Sequence, residues 1–434
     1  MRKVPTARTA LGILTGINLL NYVDRYIPAG ALPLILASFG ASDSQGGLLQ
    51  SLFMLPYALI SPLVGNLGDR RPRFPLAGLG VLVWSLATFG SGLAPTFGAL
   101  LVARVVIGVG EASYTVVTPS LLGDYYPSER RGRVLAVFYA AIPVGSAIGF
   151  VVGSAVGTHL GWRWAFYLAG VPGAILALAL FLFRDPPRGA LDPDHASDHA
   201  TAGGNLAPAL PFSTALRMLV ARPSYLFNVA AQTVYTFAMG GLAAWMPTFF
   251  FRERGLPLAE AGIVFGGIVC LSGFIGTLVG GQLGDRLAVR APTGAFLFSG
   301  VALVLSLPFS MLAILMRSPA IFWPGMFMTL MLLFLNTGPL NAAMANVLPA
   351  TVRSRGFGLS TMSIHLLGDA LSPVLIGLAS DRWGLELPIL FTAMLLVLSG
   401  LLLLAGRPAL RRDLAAVAAV GPALAPAPGG GAPA

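Results

Sequence analysis

Apolar stretches of about 20 residues or more, the length that crosses a hydrocarbon core of about 30 Å, recur along nearly all of the chain. Twelve are read, six within residues 1–183 and six within 224–406. Continuous apolarity over such lengths excludes a lipid-facing β-barrel, whose strands alternate over shorter segments, and leaves helices. With 56% hydrophobic against 10% charged residues, the chain is too apolar for a soluble domain of 434 residues. The expected fold is an all-α integral membrane protein, twelve transmembrane helices in two pseudo-symmetric six-helix bundles. Residues 184–223 form the linker between the bundles, and residues 407–434 form a tail expected to be disordered.

A net charge of +10 raises the question of nucleic acid, but the positions of the charges answer it with topology. With both termini cytoplasmic, inner segments hold twenty of the 27 basic residues and outer loops hold five, namely Arg163, Arg252, Arg254, Arg317 and Arg382. An odd number of spans destroys this asymmetry. The expected partner is therefore the membrane, with no nucleic acid. One Lys against 26 Arg is a bacterial-looking composition, so the expected location is a bacterial inner (plasma) membrane.

The start, Met1-Arg2-Lys3 before an apolar run, imitates a secretory signal, yet Asp24 and Arg25 interrupt the run and eleven more spans follow. Cys270 is the only cysteine, so there is no internal disulfide and no thiol-based metal site. In the linker, Phe212 to Val220 is read as a short helix on the inner membrane face. The same linker holds Asp192, Asp194, His195, Asp198 and His199; the histidines have metal-ligand spacing, but a polar linker is the preferred reading and no metal is expected.

One short motif occurs in both halves: Gly65-Asn66-Leu67-Gly68-Asp69-Arg70 and Gly281-Gln282-Leu283-Gly284-Asp285-Arg286. Its recurrence points to a duplicated transporter. Small residues let helices approach at the membrane edge, Asp69 and Asp285 accept hydrogen bonds from a facing helix end, and Arg70, Arg73 and Arg286 reach carboxylates or lipid phosphates. Such a cluster can latch one conformation. In the fifth span Gly145, Gly149 and Gly153, continued by Gly157, repeat every fourth residue and make a groove for a close partner helix and a tight seal between the halves. Plain packing is an equally good reading.

Charges inside the spans are few and are functional candidates because each is costly in lipid. Asp24 and Arg25 lie in the first span, Arg104 and Glu111 in the fourth, and His365 and Asp369 in the eleventh. At 1.5 Å per residue, Asp24, Glu111 and Arg104 sit about 22, 16 and 27 Å from the inner ends of their helices, in one central layer. A carboxyl that gains or loses an arginine contact as helices move changes its hold on a proton, so Asp24 and Glu111 are the expected proton-coupling residues. A static ion-pair cluster that fixes helix register is the alternative. His365 and Asp369, one helical turn apart, either couple and gate or simply satisfy each other. The second half offers Gln232, Tyr235, Trp245, Asn336 and Asn341 as polar handles. Arg104, Arg25, Tyr26 and Tyr114 complete the candidate substrate or coupling set. A cavity charged on one wall and apolar on the other suits an amphipathic molecule.

The paired motif resembles the loop motif that the major facilitator superfamily carries after its second and eighth spans, departing from it at Gly68, Pro72 and Phe74. By that resemblance Asp124 is the carboxylate that meets the loop arginines. Four longer strings resemble the Spinster branch: Asn21-Tyr22-Val23-Asp24-Arg25, Gly110-Glu111-Ala112-Ser113-Tyr114, Ile142-Pro143-Val144-Gly145-Ser146 and His365 through Pro373. The resemblance implies transport of sphingolipids or lysophospholipids, proton coupling through Asp24 and Glu111, and a head-group or coupling role for Arg104.

The expected function is therefore proton-linked movement of an amphipathic lipid or drug-like compound by rocking of two bundles about a central site. A proton-coupled organic-anion symporter, in which Arg104 and Arg25 bind a carboxylate, is the nearest alternative. A non-transporting lipid sensor is the alternative from another class. No phosphate-binding Gly loop, nucleophile elbow or metal triad is found, so neither an enzyme nor a cofactor is expected, and a monomer is the default state.

Overall fold

Residues 3–187 and 211–420 are described by the computed structural model of this chain. Among them, eleven helices are long and apolar enough to cross a membrane. The first helix, Ala7–Phe39, is the twelfth span by length and packing rather than by apolarity, because it buries Asn18, Asn21, Asp24 and Arg25. Its 33 residues reach about 50 Å at the helical rise of about 1.5 Å per residue, and it lies against the fifth and sixth spans.

The duplication is legible in the backbone itself. Spans one and seven (Ala7–Phe39 and Pro223–Arg254) both stop at a glycine in the left-handed region, Gly40 at φ +61° and Gly255 at φ +67°. The fourth and tenth spans are both interrupted, between Phe97–Thr115 and Thr118–Gly123 and between Pro319–Phe334 and Thr337–Val347. The fifth and eleventh spans both contain one π-helical turn, Val152–Val156 and His365–Asp369. Within the first half, span three packs on four and six and span one packs on five; within the second, nine packs on ten and twelve, and seven on twelve. The halves meet chiefly along the second and eleventh spans and along the fifth and eighth.

The glycine stripe faces a different neighbour from the one read in the sequence. A Cβ on Gly145, Gly149 or Gly153 would stand 2.5, 2.6 or 2.3 Å from the carbonyl oxygens of Leu19, Val23 or Ile27, so these glycines press the fifth span onto the first within one half. The seal between the halves uses the adjoining face, where Phe150 meets Phe265 at 5.0 Å and Gly262 leaves room only for Ser154.

The tail also departs from expectation. Residues Arg407–Val420 form a helix, and Asp413 ties it to the second half. The Asp413 carboxylate accepts the Ser224 N–H at 2.9 Å and the Ser224 hydroxyl at 2.5 Å, capping the seventh span. Residues 421–434 lie outside the described residues, as do Asp192, Asp194, His195, Asp198 and His199 in the linker. The helix Phe212–Val220 docks Ala215 and Leu219 against the second half.

Candidate functional site

A cavity of about 690 Å³ lies between the halves, walled by Tyr26, Pro143 and Phe150 on one side and by Met246, Phe265, Met326 and Phe334 on the other. It reaches toward the side that carries both Gly-x-Leu-Gly-Asp-Arg motifs, where its lining residues Tyr139, Thr337 and Asn341 are exposed. The other, distal side is closed by a set of bonds centred on Asp43 at the start of the second span. Arg252 from the second half binds both Asp43 oxygens, at 2.7 and 2.8 Å, and Ser380 donates to Asp43 at 2.7 Å. Asp381 accepts the Asp43 and Ser44 N–H groups at 2.8 and 3.0 Å, so a residue of one half caps a helix of the other.

Charge-assisted bonds of this kind contribute about 1.5–3 kcal/mol, enough to shift a two-state equilibrium tenfold or more. In a Cys270→Ser, Met246→Cys background, Asp43→Asn with Asp381→Asn is expected to raise labelling by an impermeant thiol reagent from the distal side about tenfold. An unchanged labelling rate shows that these bonds do not hold the gate.

Beside the cavity, reached from it at Tyr26 and Ala243, lies the charged layer. Arg25 Nη2 meets Glu111 Oε2 at 2.8 Å, with Glu111 fully buried, and the guanidinium is ringed by Tyr22, Phe53 and Tyr57 at 4.8–5.3 Å. Asp24, also buried, accepts from the Thr88 hydroxyl at 3.3 Å. Arg104 is bonded to neither carboxylate here: it donates through Nε to the Leu49 carbonyl at 2.9 Å and through Nη2 to Gln50 at 3.4 Å. Phe53 stands between the two arginines, 4.9 Å from Arg25 and 4.7 Å from Arg104. The layer is only half satisfied. Asp24 Oδ1, Glu111 Oε1, Arg25 Nε and Arg104 Nη1 are buried and make no hydrogen bond of ordinary geometry, although Trp84 faces Asp24 and Asn21 faces Glu111. Such a concentration of unmet buried groups calls for an explanation in function.

From the second half, His365 Nδ1 lies 3.1 Å from both oxygens of Asp369, and its ring meets Tyr57 of the first half edge-on at 5.8 Å. Asp369, Arg25, Tyr26 and Gln50 line one small space, of about 40 Å³, and Tyr26 lines the main cavity as well. Tyr26 thus joins the apolar cavity to the charged layer.

Several polar handles are spent elsewhere. Tyr114 is fully buried, donates to the Leu14 carbonyl and packs on Trp84, so it belongs to the core of the first half. Trp245 is equally buried and donates to the Pro373 carbonyl at 2.9 Å, tying span seven to eleven. Tyr235 and Asn336 both donate to the Leu333 carbonyl, at 3.2 and 2.7 Å, which the interruption of the tenth span frees from the helical ladder. Gln232 donates to Asn228 at 2.6 Å. Of the second-half handles, Asn341 alone lines the main cavity.

At the motif edge Arg73 pairs with Asp124, and its Nε lies 3.4 Å from Asp185. Asp185, which the sequence does not mark, also accepts the Arg73 and Phe74 N–H groups at 2.6 and 2.9 Å and so caps the third span. Gly65 and Gly68 face Val116 and Val117, Arg70 and Arg286 are exposed, and the side chains of Asp69 and Asp285 lie outside the described residues. Among the described residues there is no cluster of three metal-ligating side chains.

Residues 14–368 match the family model of the Major Facilitator Superfamily. Human protein spinster homolog 1 is 37% identical over 398 residues, covering 86% of this chain and 74% of that protein. The sphingosine-1-phosphate transporter SPNS2 of Mus musculus is 33% identical over 386 residues, covering 85% and 69%. A crystal structure of a bacterial homolog to the human lysosomal transporter Spinster, inward-facing and unoccupied, shares the fold with a TM-score of 0.82 at 24% identity, over 94% of this chain and 98% of that one. Duplicated edge motif, twelve spans, inter-half cavity and sequence relationship agree: this chain is a transporter of the major facilitator superfamily and belongs to its Spinster branch.

Proposed function

We propose that the protein moves an amphipathic lipid-like compound, a lysophospholipid or sphingoid base, in exchange for protons by alternating access. The observation that carries this reading is the pairing of a large, mostly apolar cavity with a buried charged layer that adjoins its wall at Tyr26. A hydrocarbon tail fits among Phe150, Phe265, Met246 and Met326, while a polar head lies toward Tyr26, Arg25 and Asp369. The named activity of the mouse relative supports a lipid cargo. Closure on the distal side, with the cavity reaching the motif side, fits an inward-facing state with both termini cytoplasmic.

Coupling is assigned to Glu111 and Asp24. Protonation of Glu111 removes the charge that engages Arg25, and a released Arg25 can turn to an anionic head group or to Asp369 across the small space they share. The small-anion reading draws less support, since the cavity is walled mostly by apolar side chains, Phe150, Phe265, Met246 and Met326 among them.

The reading is tested by competition. Uptake of a labelled lysophospholipid by the reconstituted protein is expected to be blocked increasingly by longer acyl chains, by about fourfold per buried methylene at about 0.8 kcal/mol each, until the cavity is filled. Small carboxylates are expected not to compete. Equal inhibition by all chain lengths, or strong inhibition by small carboxylates, excludes a lipid cargo.

A further inference from the structure

Outside the transport cavity, a second large space of about 970 Å³ opens on the motif side, bounded by Arg70, Arg71 and Arg184 and by an apolar wall that includes Val4 and Phe183. We propose that this groove binds a phosphate-bearing anion, supplied either as the head group of an acidic membrane lipid or as free phosphate.

Its construction is specific. The second span ends at Arg70, and Arg71 is its C-cap residue. The main chain at Arg184 is held by the amino-terminal segment: its N–H donates to the Lys3 carbonyl at 3.0 Å, while the Lys3 N–H donates to the Leu182 carbonyl at 3.3 Å. Arg70 and Arg184 therefore border one groove from two separate parts of the chain, beside Arg71, which has a partner of its own. The carboxylate lining it, Asp185, is already committed to the Arg73 and Phe74 N–H groups and to Arg73 Nε. The groove is consequently cationic, and guanidinium forks match phosphate oxygens.

Depth and wall chemistry place the site where head groups lie. The apolar stretch of span two ends at Gly68, that of span three begins at Arg73, and that of span six ends at Phe181, so the groove sits where three spans leave the apolar layer. Pro72, Pro75, Pro186 and Pro187 extend its apolar wall and give a glycerol backbone or the first methylenes a surface beside the charges. The site also adjoins the latch, because Asp185 shares Arg73 with Asp124.

The test follows thermal unfolding of the purified full-length protein with dioctanoyl phosphatidylglycerol, dioctanoyl phosphatidylcholine or inorganic phosphate. Phosphatidylglycerol is expected to raise the melting temperature of the wild type and of an Arg411→Gln, Arg412→Gln control, and phosphatidylcholine is not. In Arg70→Gln with Arg184→Gln the apparent affinity is expected to fall about tenfold or more. A shift with inorganic phosphate as well assigns the site to free phosphate; a shift with the lipid alone assigns it to the head group. If the double variant does not fold, Arg184→Gln, which lies outside the helices, is measured alone. No shift with either anion, or a shift that persists undiminished in the arginine variants, overturns the proposal.

Discussion

Replacing Glu111 by Gln is expected to destabilise the protein markedly and to abolish proton-linked flux, whereas adding Arg25→Gln returns most of the stability and none of the flux. The two effects have separate causes. Glu111 is fully buried and its ion pair with Arg25 spans 2.8 Å, so neutralising it alone leaves a buried guanidinium without its countercharge. One-sided removal of a buried pair costs about 3–5 kcal/mol, while removing both charges is often close to neutral. The aromatic ring of Tyr22, Phe53 and Tyr57 softens but does not replace the lost carboxylate. Melting temperatures of the single and double variants, measured beside flux, close the cycle. A double variant as unstable as the single one shows that the pair is not what Glu111 contributes; a double variant that still transports removes Glu111 from the coupling mechanism.

Gly153→Leu is expected to prevent recovery of folded protein. A Cβ there stands 2.3 Å from the Ile27 carbonyl oxygen and 3.1 Å from the Ala31 nitrogen, both main-chain atoms that no rotamer change can move. On the facing helix a Cβ at Gly30 meets the Phe150 carbonyl at 2.6 Å, so neither helix has room to give. Overpacking a core costs about 1–3 kcal/mol or more, and here the displaced helix also carries Asp24 and Arg25 less than one turn from Ile27. Gly90→Leu is the control, since nothing lies within 4 Å of its Cβ position. Monodisperse yield and melting temperature decide: a Gly153→Leu protein that behaves like the wild type means the two helices are not in this contact.

How much the sequence disclosed depends on the length scale of each feature. Spans are read from composition alone, because a 20-residue apolar stretch has few other fates, and only the first required its burial of Asn18, Asn21, Asp24 and Arg25 to be understood. The four longer strings and the paired motif carried the family, which the match over residues 14–368 shows. Side-chain partners were less legible. Helical spacing puts Arg104 and Glu111 on one face of their own span, yet says nothing of Arg25, which approaches Glu111 from another span. Nor does it mark Phe53, Gln50 or Thr88, uncharged residues that become part of the charged layer only through packing. Trp245, Tyr235 and Asn336 look like cavity handles until helix interruptions and neighbouring spans present carbonyls for them to satisfy. Periodicity likewise finds the Gly145, Gly149 and Gly153 groove but not which helix fills it.

Proton-linked transport of an amphipathic lipid is measured as proton flux into proteoliposomes under an imposed pH gradient, started by adding substrate. Lysophospholipids, sphingoid bases and small organic acids are compared in the wild type and in Glu111→Gln. Flux is expected with the lipids, none with the acids, and none in the variant. Lipid binding without any proton movement, or lipid-driven flux of equal size in Glu111→Gln, contradicts it.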